Sequence, residues 1–182
     1  MAKQYDHINK RIQKFISEQK IFFVATATDT SSINLSPKGM DSFRVIDEKK
    51  VLWLNLTGSG NETAAHLGVD GRITIMFCAF EGAPMILRLY GKGKVINPND
   101  KQWSKSIAHF PKLAGTRQVI SIDIDMVQTS CGMSIPYFDF KDERRQLDDW
   151  AKQKGEEGIK DYWKEKNEVS IDGIPTQIQA GY

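Results

Sequence analysis

The stretch Val51-Leu-Trp-Leu-Asn-Leu-Thr-Gly-Ser-Gly-Asn-Glu-Thr-Ala-Ala-His-Leu67 decides the fold of this chain. Its first six residues are apolar except for Asn55, which is the pattern of a central strand buried on both faces. The turn Thr57 to Gly60 ends that strand. Ser59 and Glu62 have the spacing of a capping box, which predicts that a helix begins there. The stretch is therefore a strand, a glycine turn and a helix.

The turn in this unit is a candidate binding site. The backbone N–H groups of a first helical turn have no partner within the helix and attract anions. The hydroxyls of Thr57, Ser59 and Thr63 and the amide of Asn61 are close by in the sequence. The same groups can cap a helix with no ligand, so the turn alone leaves both readings open. It matches neither the Walker loop nor the three-glycine dinucleotide fingerprint.

Outward from this unit, the chain is rich in short β-branched and aromatic segments joined by turns. They predict strands at 21–27, 33–36, 51–56, 72–78, 85–96 and 118–126, and helices only at 7–19, 61–67 and 99–108. A parallel sheet needs a crossover helix after nearly every strand. The pattern therefore predicts a mainly β fold with peripheral helices, built as a six-stranded antiparallel barrel.

Two of these strands carry further information. Gly91 and Gly93 lie inside one of them, and glycines there indicate a bulge or a sharp bend. The strand at 118–126 alternates strictly between isoleucines and polar residues, so we expect one face to be in water. On that face Asp123 and Asp125 are interpreted as solvated carboxylates and not as an acid–base pair.

A second candidate site lies in Asn34-Leu-Ser-Pro-Lys-Gly39. Asn34, Ser36 and Lys38 alternate and so share one strand face until Pro37 and the glycine turn the chain. Lys38 offers a cation for an anionic ligand. A solvated strand end with an ordinary surface lysine gives the same pattern.

The chain changes character near Phe140. Residues 141–166 carry eight basic and eight acidic side chains and few aliphatic ones. Two short apolar stripes, separated by Gly155 and Gly158, predict two short helices, each with one tryptophan, Trp150 or Trp163. So little apolar area cannot form a core. We expect a barrel domain at 1–130 and a helical extension at 131–182 that packs on the barrel or on a partner subunit.

Composition limits the function. The chain has 182 residues and a net charge of +2, so we expect one main domain and no nucleic-acid partner. The longest apolar stretch, Ile21 to Ala27, is too short to span a membrane, and no signal peptide is visible, which favours the cytoplasm. Two cysteines and three scattered histidines form no zinc motif, so no metal is expected. His66 is interpreted as a surface or partner-facing residue.

The segments SPKG, LWLNLTGSGNETAAHL, GRITIMFCAFEG and ILRLYGKG, in this order, resemble the FMN-binding split-barrel family that includes pyridoxamine 5′-phosphate oxidase. The match covers about residues 8–130 and is most similar to the pyridoxamine 5′-phosphate oxidase-related branch. The later segments QTSCGMSIPYFDF and SIDGIP also look like that branch. The resemblance implies a split barrel that dimerises and holds FMN between its subunits.

As the resemblance implies, the strand that holds Ser36 and Lys38 and the turn from Thr57 to Thr63 grip the phosphate and ribityl chain of FMN. The cofactor-binding residues expected on this basis are Asn34, Ser36, Pro37, Lys38, Asn55, Thr57, Ser59, Asn61 and Thr63. No catalytic residue is assigned. Cys131 is interpreted as passive.

The chain also departs from the true oxidases. They carry Ser-Arg-Lys where this chain has Asn61-Glu62-Thr63, and their Arg-x-His end has no equivalent in Gln177-Ile-Gln-Ala-Gly-Tyr182. Phosphate neutralisation is therefore expected from Lys38, the helix dipole and either Arg88 or Lys92. These departures predict that pyridoxamine 5′-phosphate is not the substrate.

The sequence thus predicts a cytoplasmic, homodimeric FMN-dependent oxidoreductase that acts on an unidentified small molecule. Two alternatives stay open. One is a non-catalytic flavin sensor or storage module, and the other is the same barrel with a deazaflavin or a haem. The absorbance spectrum and the cofactor released on denaturation distinguish them.

Overall fold

The computed structural model describes residues 2–178 and contains eight strands and four helices. The strands are β1 (Lys3–Tyr5), β2 (Phe22–Thr26), β3 (Asn34–Lys38), β4 (Phe43–Asp47), β5 (Lys50–Leu56), β6 (Arg72–Cys78), β7 (Ile86–Ile96) and β8 (Thr116–Ser130). The helices are α1 (Lys10–Glu18), α2 (Glu62–Val69), α3 (Trp103–Ile107) and α4 (Gln146–Lys166).

All the strand pairings between named strands are antiparallel, and the order is β3-β2-β6-β7-β8-β5-β4, with β1 added beside β8. The sheet curls into a barrel. β2 and β4 lie near opposite ends of the strand order, yet the ring centroids of Phe22 on β2 and Phe43 on β4 are only 5.0 Å apart. The edge strands β3 and β4 do not pair with each other in this order, which leaves the barrel split. This confirms the predicted class.

The predicted count of six strands was too low, because β1 and β4 were missed. β1 has three residues and is defined by its pairing with β8, more than 120 residues away in sequence. Four of the five β4 residues are half-buried, with no alternation, so β4 lacks the period of two that sequence analysis detects.

The barrel interior is filled by side chains from most of the strands and closed by α1. Ile12 and Ile16 of α1 are buried in it, next to the aromatic cluster around Phe22, Trp53 and Phe77. A second, smaller cluster lies outside the barrel, where α3 covers the outer face of β5 and β8. Of the described residues, none forms a helix long and apolar enough to cross a membrane.

The second cluster corrects one expectation about β8. Asp123 and Asp125 are exposed, as the alternation predicts, and Lys50 Nζ lies 2.9 Å from Asp123 Oδ1. The first part of the same face is not in water: Arg117 and Val119 are both buried. The outer face of β8 is therefore buried at Arg117 and Val119 and exposed to solvent at Asp123 and Asp125.

The glycines of β7 mark the bulge that the sequence predicts. The β7–β8 register shifts between Tyr90 and Gly91. A β-carbon on Gly91 would lie 2.1 Å from the backbone oxygen of Asp123, a distance that no side chain tolerates. Gly91 is thus required by the close approach of two strands.

We expect Gly91→Ala to lower the free energy of unfolding by about 1–3 kcal/mol, because the new methyl group forces the two strands apart. Gly158→Ala is the matched control. Its β-carbon would meet only Lys154 side-chain atoms, at 3.6 Å or more, within a helix, so we expect a gain of about 0.5–1 kcal/mol. Urea unfolding measures both changes, and a loss in Gly158→Ala equal to that in Gly91→Ala would contradict the argument.

The extension docks on the barrel of its own chain. α4 is interrupted at Gly155, whose φ of 68° and ψ of 172° are not helical, so it consists of two helical halves. Trp163 in the second half is buried, and its Nε1 donates a hydrogen bond to Thr57 Oγ1 at 2.8 Å. The expected extension boundaries include residues 179–182, which lie outside the described residues.

Candidate functional site

A pocket of about 330 Å³ lies where the face of β3, the turn after β5 and the start of α2 meet. It is lined by Asn34, Ser36, Lys38, Trp53, Asn55, Gly58, Ser59, Gly60, Asn61, Glu62, Thr63, Arg117 and Ile171. The strand and turn candidates from the sequence therefore meet in one place. We call it the β3–α2 pocket.

Lys38 supplies the first cation of this pocket. Its Nζ lies 5.2 Å from the centroid of the buried Trp53 ring, a cation–π contact. Burial, and then the positive charge of Arg117, lower the pKa of Lys38 from 10.5 to about 8. A lysine so destabilised in its charged form gains from an anion placed beside it.

Arg117 supplies the second cation. Its side chain is 3% exposed, and its guanidinium donates to the carbonyl oxygen of Gly60 at 3.2 Å and to Asn55 Oδ1 at 3.1 Å. It also donates to Oδ1 of Asn167, which follows α4 in the extension. Because an arginine stays charged at all relevant pH values, Arg117 gives the pocket a permanent positive charge.

Buried amides hold the turn in place. Asn55 Nδ2 donates to Asn61 Oδ1 at 3.0 Å, and Asn61 Nδ2 donates to Gln118 Oε1 at 3.0 Å. Gln118 Nε2 in turn donates to Asn97 Oδ1 at 2.9 Å. These amides are 6% exposed or less. Such satisfied networks make a site rigid, so Asn55 and Asn61 shape the pocket through contacts within the protein.

The start of α2 differs from the predicted capping box. The N-cap is Asn61, its side chain makes no capping hydrogen bond, and the helix begins at Glu62. The Glu62 carboxylate accepts a hydrogen bond from the backbone N–H of Ile171, at 3.1 Å to Oε2, instead of reaching back to the turn. The extension therefore borders the pocket at this helix end.

Seven of the nine residues expected to bind the cofactor line the pocket: Asn34, Ser36, Lys38, Asn55, Ser59, Asn61 and Thr63. Pro37 and Thr57 lie away from it. Pro37 is exposed on the opposite face of β3, as strand alternation requires. The Thr57 hydroxyl donates to the carbonyl oxygen of Gly115 at 2.7 Å and accepts from Trp163, so it serves the docking of the extension.

The two other cations expected near the phosphate lie elsewhere. Arg88 donates to Ser130 Oγ at 3.2 Å, and Lys92 Nζ lies 3.5 Å from Asp70 Oδ1. Arg117 is the cation that lines the pocket together with Lys38. Sequence reasoning missed it because it lies just before the predicted strand 118–126, whose odd-numbered face was expected to be in water. Cys131 is exposed and lines a different pocket.

His66 is buried, which corrects its interpretation as a surface residue. It is 1% exposed, and its Nδ1 lies 3.0 Å from Thr26 Oγ1. Its Nε2 lies 4.0 Å from Oδ2 of Asp172 in the extension. The ligand atoms of Glu62, His66 and Asp172 all lie within 4.8 Å of one another. This group lies beside the pocket, since Glu62 belongs to both.

The fold and the pocket define a split-barrel protein. The family model described as pyridoxamine 5′-phosphate oxidase matches residues 8–131. UstO of Aspergillus flavus, a pyridoxamine 5′-phosphate oxidase family protein, is 34% identical over 189 residues, which cover 94% of this chain and 76% of UstO. The chain belongs to the pyridoxamine 5′-phosphate oxidase family, which confirms the resemblance seen in its motifs.

Solved structures agree on the fold. HupZ of Group A Streptococcus has a TM-score of 0.55 at 20% identity, over 68% of this chain and 99% of HupZ. An FAD-binding protein of Mesorhizobium loti has a TM-score of 0.50 at 10% identity, over 71% of this chain and 97% of that protein. At these low sequence identities, the similarities establish the fold and give no information about ligands. The UstO match extends beyond the barrel and includes the extension.

Proposed function

We propose that this protein binds FMN in the β3–α2 pocket, with the phosphate between Lys38 and Arg117, and acts as a cytoplasmic FMN-dependent oxidoreductase on a small substrate. The observation that carries the proposal is the poorly solvated ammonium of Lys38, which lines the pocket together with the buried Arg117. Burial disfavours the charged form of a lysine, and an anion beside it offsets that cost. A phosphate is such an anion.

The other groups of the pocket fit the rest of the ligand. The hydroxyls of Ser36, Ser59 and Thr63 and the amide of Asn34 line it, and such groups match a phosphate ester and a polyhydroxyl chain. A volume of about 330 Å³ is at the small end for a ligand site, which supports a pocket for the phosphate and ribityl part. Bound flavin supplies the redox chemistry, and the chain positions it.

Exposed apolar side chains beside the pocket support the proposed homodimer. The face of β3 opposite to the pocket, with the residue before it, carries Ile33 and Leu35, which are 80% and 63% exposed. Asp172 accepts hydrogen bonds from the N–H and Oγ of Ser32, both at 3.0 Å, so the extension lies next to this edge. Its Val169 and Ile171 are 53% and 80% exposed. Exposed apolar residues on an edge strand favour burial by a second chain.

The haem alternative receives less support from the same residues. Axial ligation of haem iron requires histidine, cysteine, methionine or tyrosine. Within residues 2–178, none of these types lines the β3–α2 pocket. The pocket is suited to a phosphate, which haem lacks. A deazaflavin and a non-catalytic flavin module stay as outcomes of the cofactor test below.

The proposal is tested by the cofactor that the purified protein releases on denaturation and by comparing FMN with riboflavin. We expect FMN, with an affinity at least about ten-fold above that of riboflavin, because one charge-assisted contact to the phosphate is worth about 1.5–3 kcal/mol. Equal affinities would contradict the assignment of the phosphate site. A released deazaflavin or haem would favour the corresponding alternative.

The lowered pKa of Lys38 predicts a pH dependence of FMN binding. Below its pKa of about 8 the free protein already carries the charge; above it, binding of the anion must be coupled to uptake of a proton. The affinity for FMN should therefore fall by about five-fold from pH 8 to pH 9, and the slope should approach ten-fold for each pH unit only well above the pKa. Fluorescence titrations measure it, and the control Lys38→Ala should show no such slope.

We also expect no useful oxidation of pyridoxamine 5′-phosphate. Glu62, which lines the pocket, puts a carboxylate where the motif of the true oxidases has an arginine. The kcat/KM for this substrate should stay at least about a thousand-fold below the 10⁴ M⁻¹s⁻¹ at the lower end of ordinary enzymes. Assays of pyridoxal phosphate and hydrogen peroxide measure it, and turnover at ordinary efficiency would refute the prediction.

A further inference from the structure

Glu62, His66 and Asp172 form a cluster beside the β3–α2 pocket, and the flavin proposal assigns none of the three a contact with FMN. Glu62 and His66 are four residues apart on α2 and so share one helix face, and Asp172 reaches them from the extension. We propose that these three residues form a binding site for a divalent transition-metal ion, Zn²⁺ or a close relative, that ties the extension to the barrel.

The first argument is the imidazole of His66. Its Nε2 is buried and makes no hydrogen bond with any described residue. The distance of 4.0 Å to Asp172 Oδ2 is too long for a direct hydrogen bond. A buried nitrogen left without a partner is costly. A metal ion between Nε2 and the carboxylates removes that cost.

The second argument is how the other ring atom is held. Nδ1 lies 3.0 Å from Thr26 Oγ1. In the tautomer with the proton on Nδ1, the ring donates to that hydroxyl and directs the Nε2 lone pair to the two carboxylates. Metal-bound histidines are oriented in this way by a hydrogen bond from their second nitrogen. Thr26 is itself 4% exposed, so the orientation is fixed by buried groups.

The third argument is charge. Of the described residues, no lysine or arginine forms a salt bridge with Glu62 or Asp172. The cluster contains two acidic side chains, Glu62 and Asp172, and one divalent cation bound between them balances their charge. The mixture of nitrogen and oxygen ligands favours Zn²⁺ and its neighbours over Mg²⁺ or Ca²⁺, which prefer oxygen ligands alone.

The spacing of the cluster is compatible with such an ion. Bonds of about 2.0–2.1 Å in a tetrahedral zinc site place ligand atoms about 3.4 Å apart. The observed separations, up to 4.8 Å, require a contraction of about 1.4 Å at most to reach that spacing. Glu62 is half-buried and Asp172 is exposed, so both side chains have room to make it. Water completes the coordination.

The test uses the full-length protein, stripped of metal with a chelator and titrated with Zn²⁺ by calorimetry. We expect one Zn²⁺ per chain, a rise of Tm on binding, and much weaker binding of Mg²⁺. In His66→Gln and Asp172→Asn, the Kd for Zn²⁺ should rise by at least about ten-fold, since even residues that only orient a metal ligand contribute that much. Asp172→Asn changes a residue that is partly in solvent, so it keeps the test valid if the buried His66 variant does not fold.

Two control variants complete the design. His109→Gln removes an exposed histidine away from the cluster and should leave the Kd for Zn²⁺ unchanged. Lys38→Ala should leave it unchanged as well, so failure of the flavin proposal and failure of the metal proposal are distinguishable. Absence of stoichiometric Zn²⁺ binding, or an equal Kd in Asp172→Asn and the wild type, would overturn the inference.

Discussion

Replacing Lys38 with alanine is expected to weaken FMN binding by roughly ten- to a hundred-fold. The side chain is poorly solvated and faces the β3–α2 pocket together with Arg117, so its contact with a phosphate is charge-assisted and worth about 1.5–3 kcal/mol. Binding of riboflavin should change little, because riboflavin has no phosphate. Quenching of flavin fluorescence measures both affinities.

Lys92→Ala is the matched control for this experiment. Lys92 is also a lysine on the sheet, but its ammonium lies near Asp70 and does not line the pocket. We expect its FMN affinity to stay within two-fold of the wild type. Equal weakening in the two variants would show a general effect of protein charge and would argue against a phosphate site at Lys38.

Trp163→Ala should lower the free energy of unfolding by about 3–5 kcal/mol, as is usual when a buried aromatic side chain is truncated. The indole is 6% exposed, packs with Ala151 and Ile159, and donates to Thr57 Oγ1. Its removal leaves a cavity between the extension and the turn that borders the pocket. Chemical denaturation followed by circular dichroism measures the loss.

Trp163→Phe separates the contribution of packing from that of the hydrogen bond to Thr57. It keeps most of the ring but loses the hydrogen bond to Thr57, so we expect a smaller loss, about 1–2 kcal/mol. A loss below 1 kcal/mol in Trp163→Ala would mean that the extension contributes little to stability. It would contradict the packing described here.

The fold could be predicted from strong local patterns. The strand ending at Leu56 and the glycine turn after it are continuous in sequence, and the structure keeps them as β5 and the turn before α2. What the sequence could not provide were elements defined by distant partners. The three residues of β1 are polar or aromatic and form a strand only because β8 lies beside them.

The candidate site, like the fold, could be predicted where local sequence patterns define it and not where distant segments do. Ser36 and Lys38 share a strand face by simple alternation, and the structure brings that face to the turn. Arg117 was missed because its burial depends on α4 and the segment after it, including Asn167, which arrives from 50 residues further along the chain. His66 was misread for a similar reason: a short helix gives no local signal of what will cover it.

The break in α4 determines how far the extension reaches. In an unbroken helix, Trp150 and Tyr162 would be about 18 Å apart along the axis, twelve residues at 1.5 Å each. Their ring centroids are 5.1 Å apart, in an edge-to-face contact, with Lys154 Nζ 5.8 Å from each. The positive φ of Gly155 thus reverses the chain, so that the two halves of α4 pack against each other as a helical hairpin. Because glycine adopts this conformation without strain, the extension stays close to the turn after β5 instead of projecting into solvent.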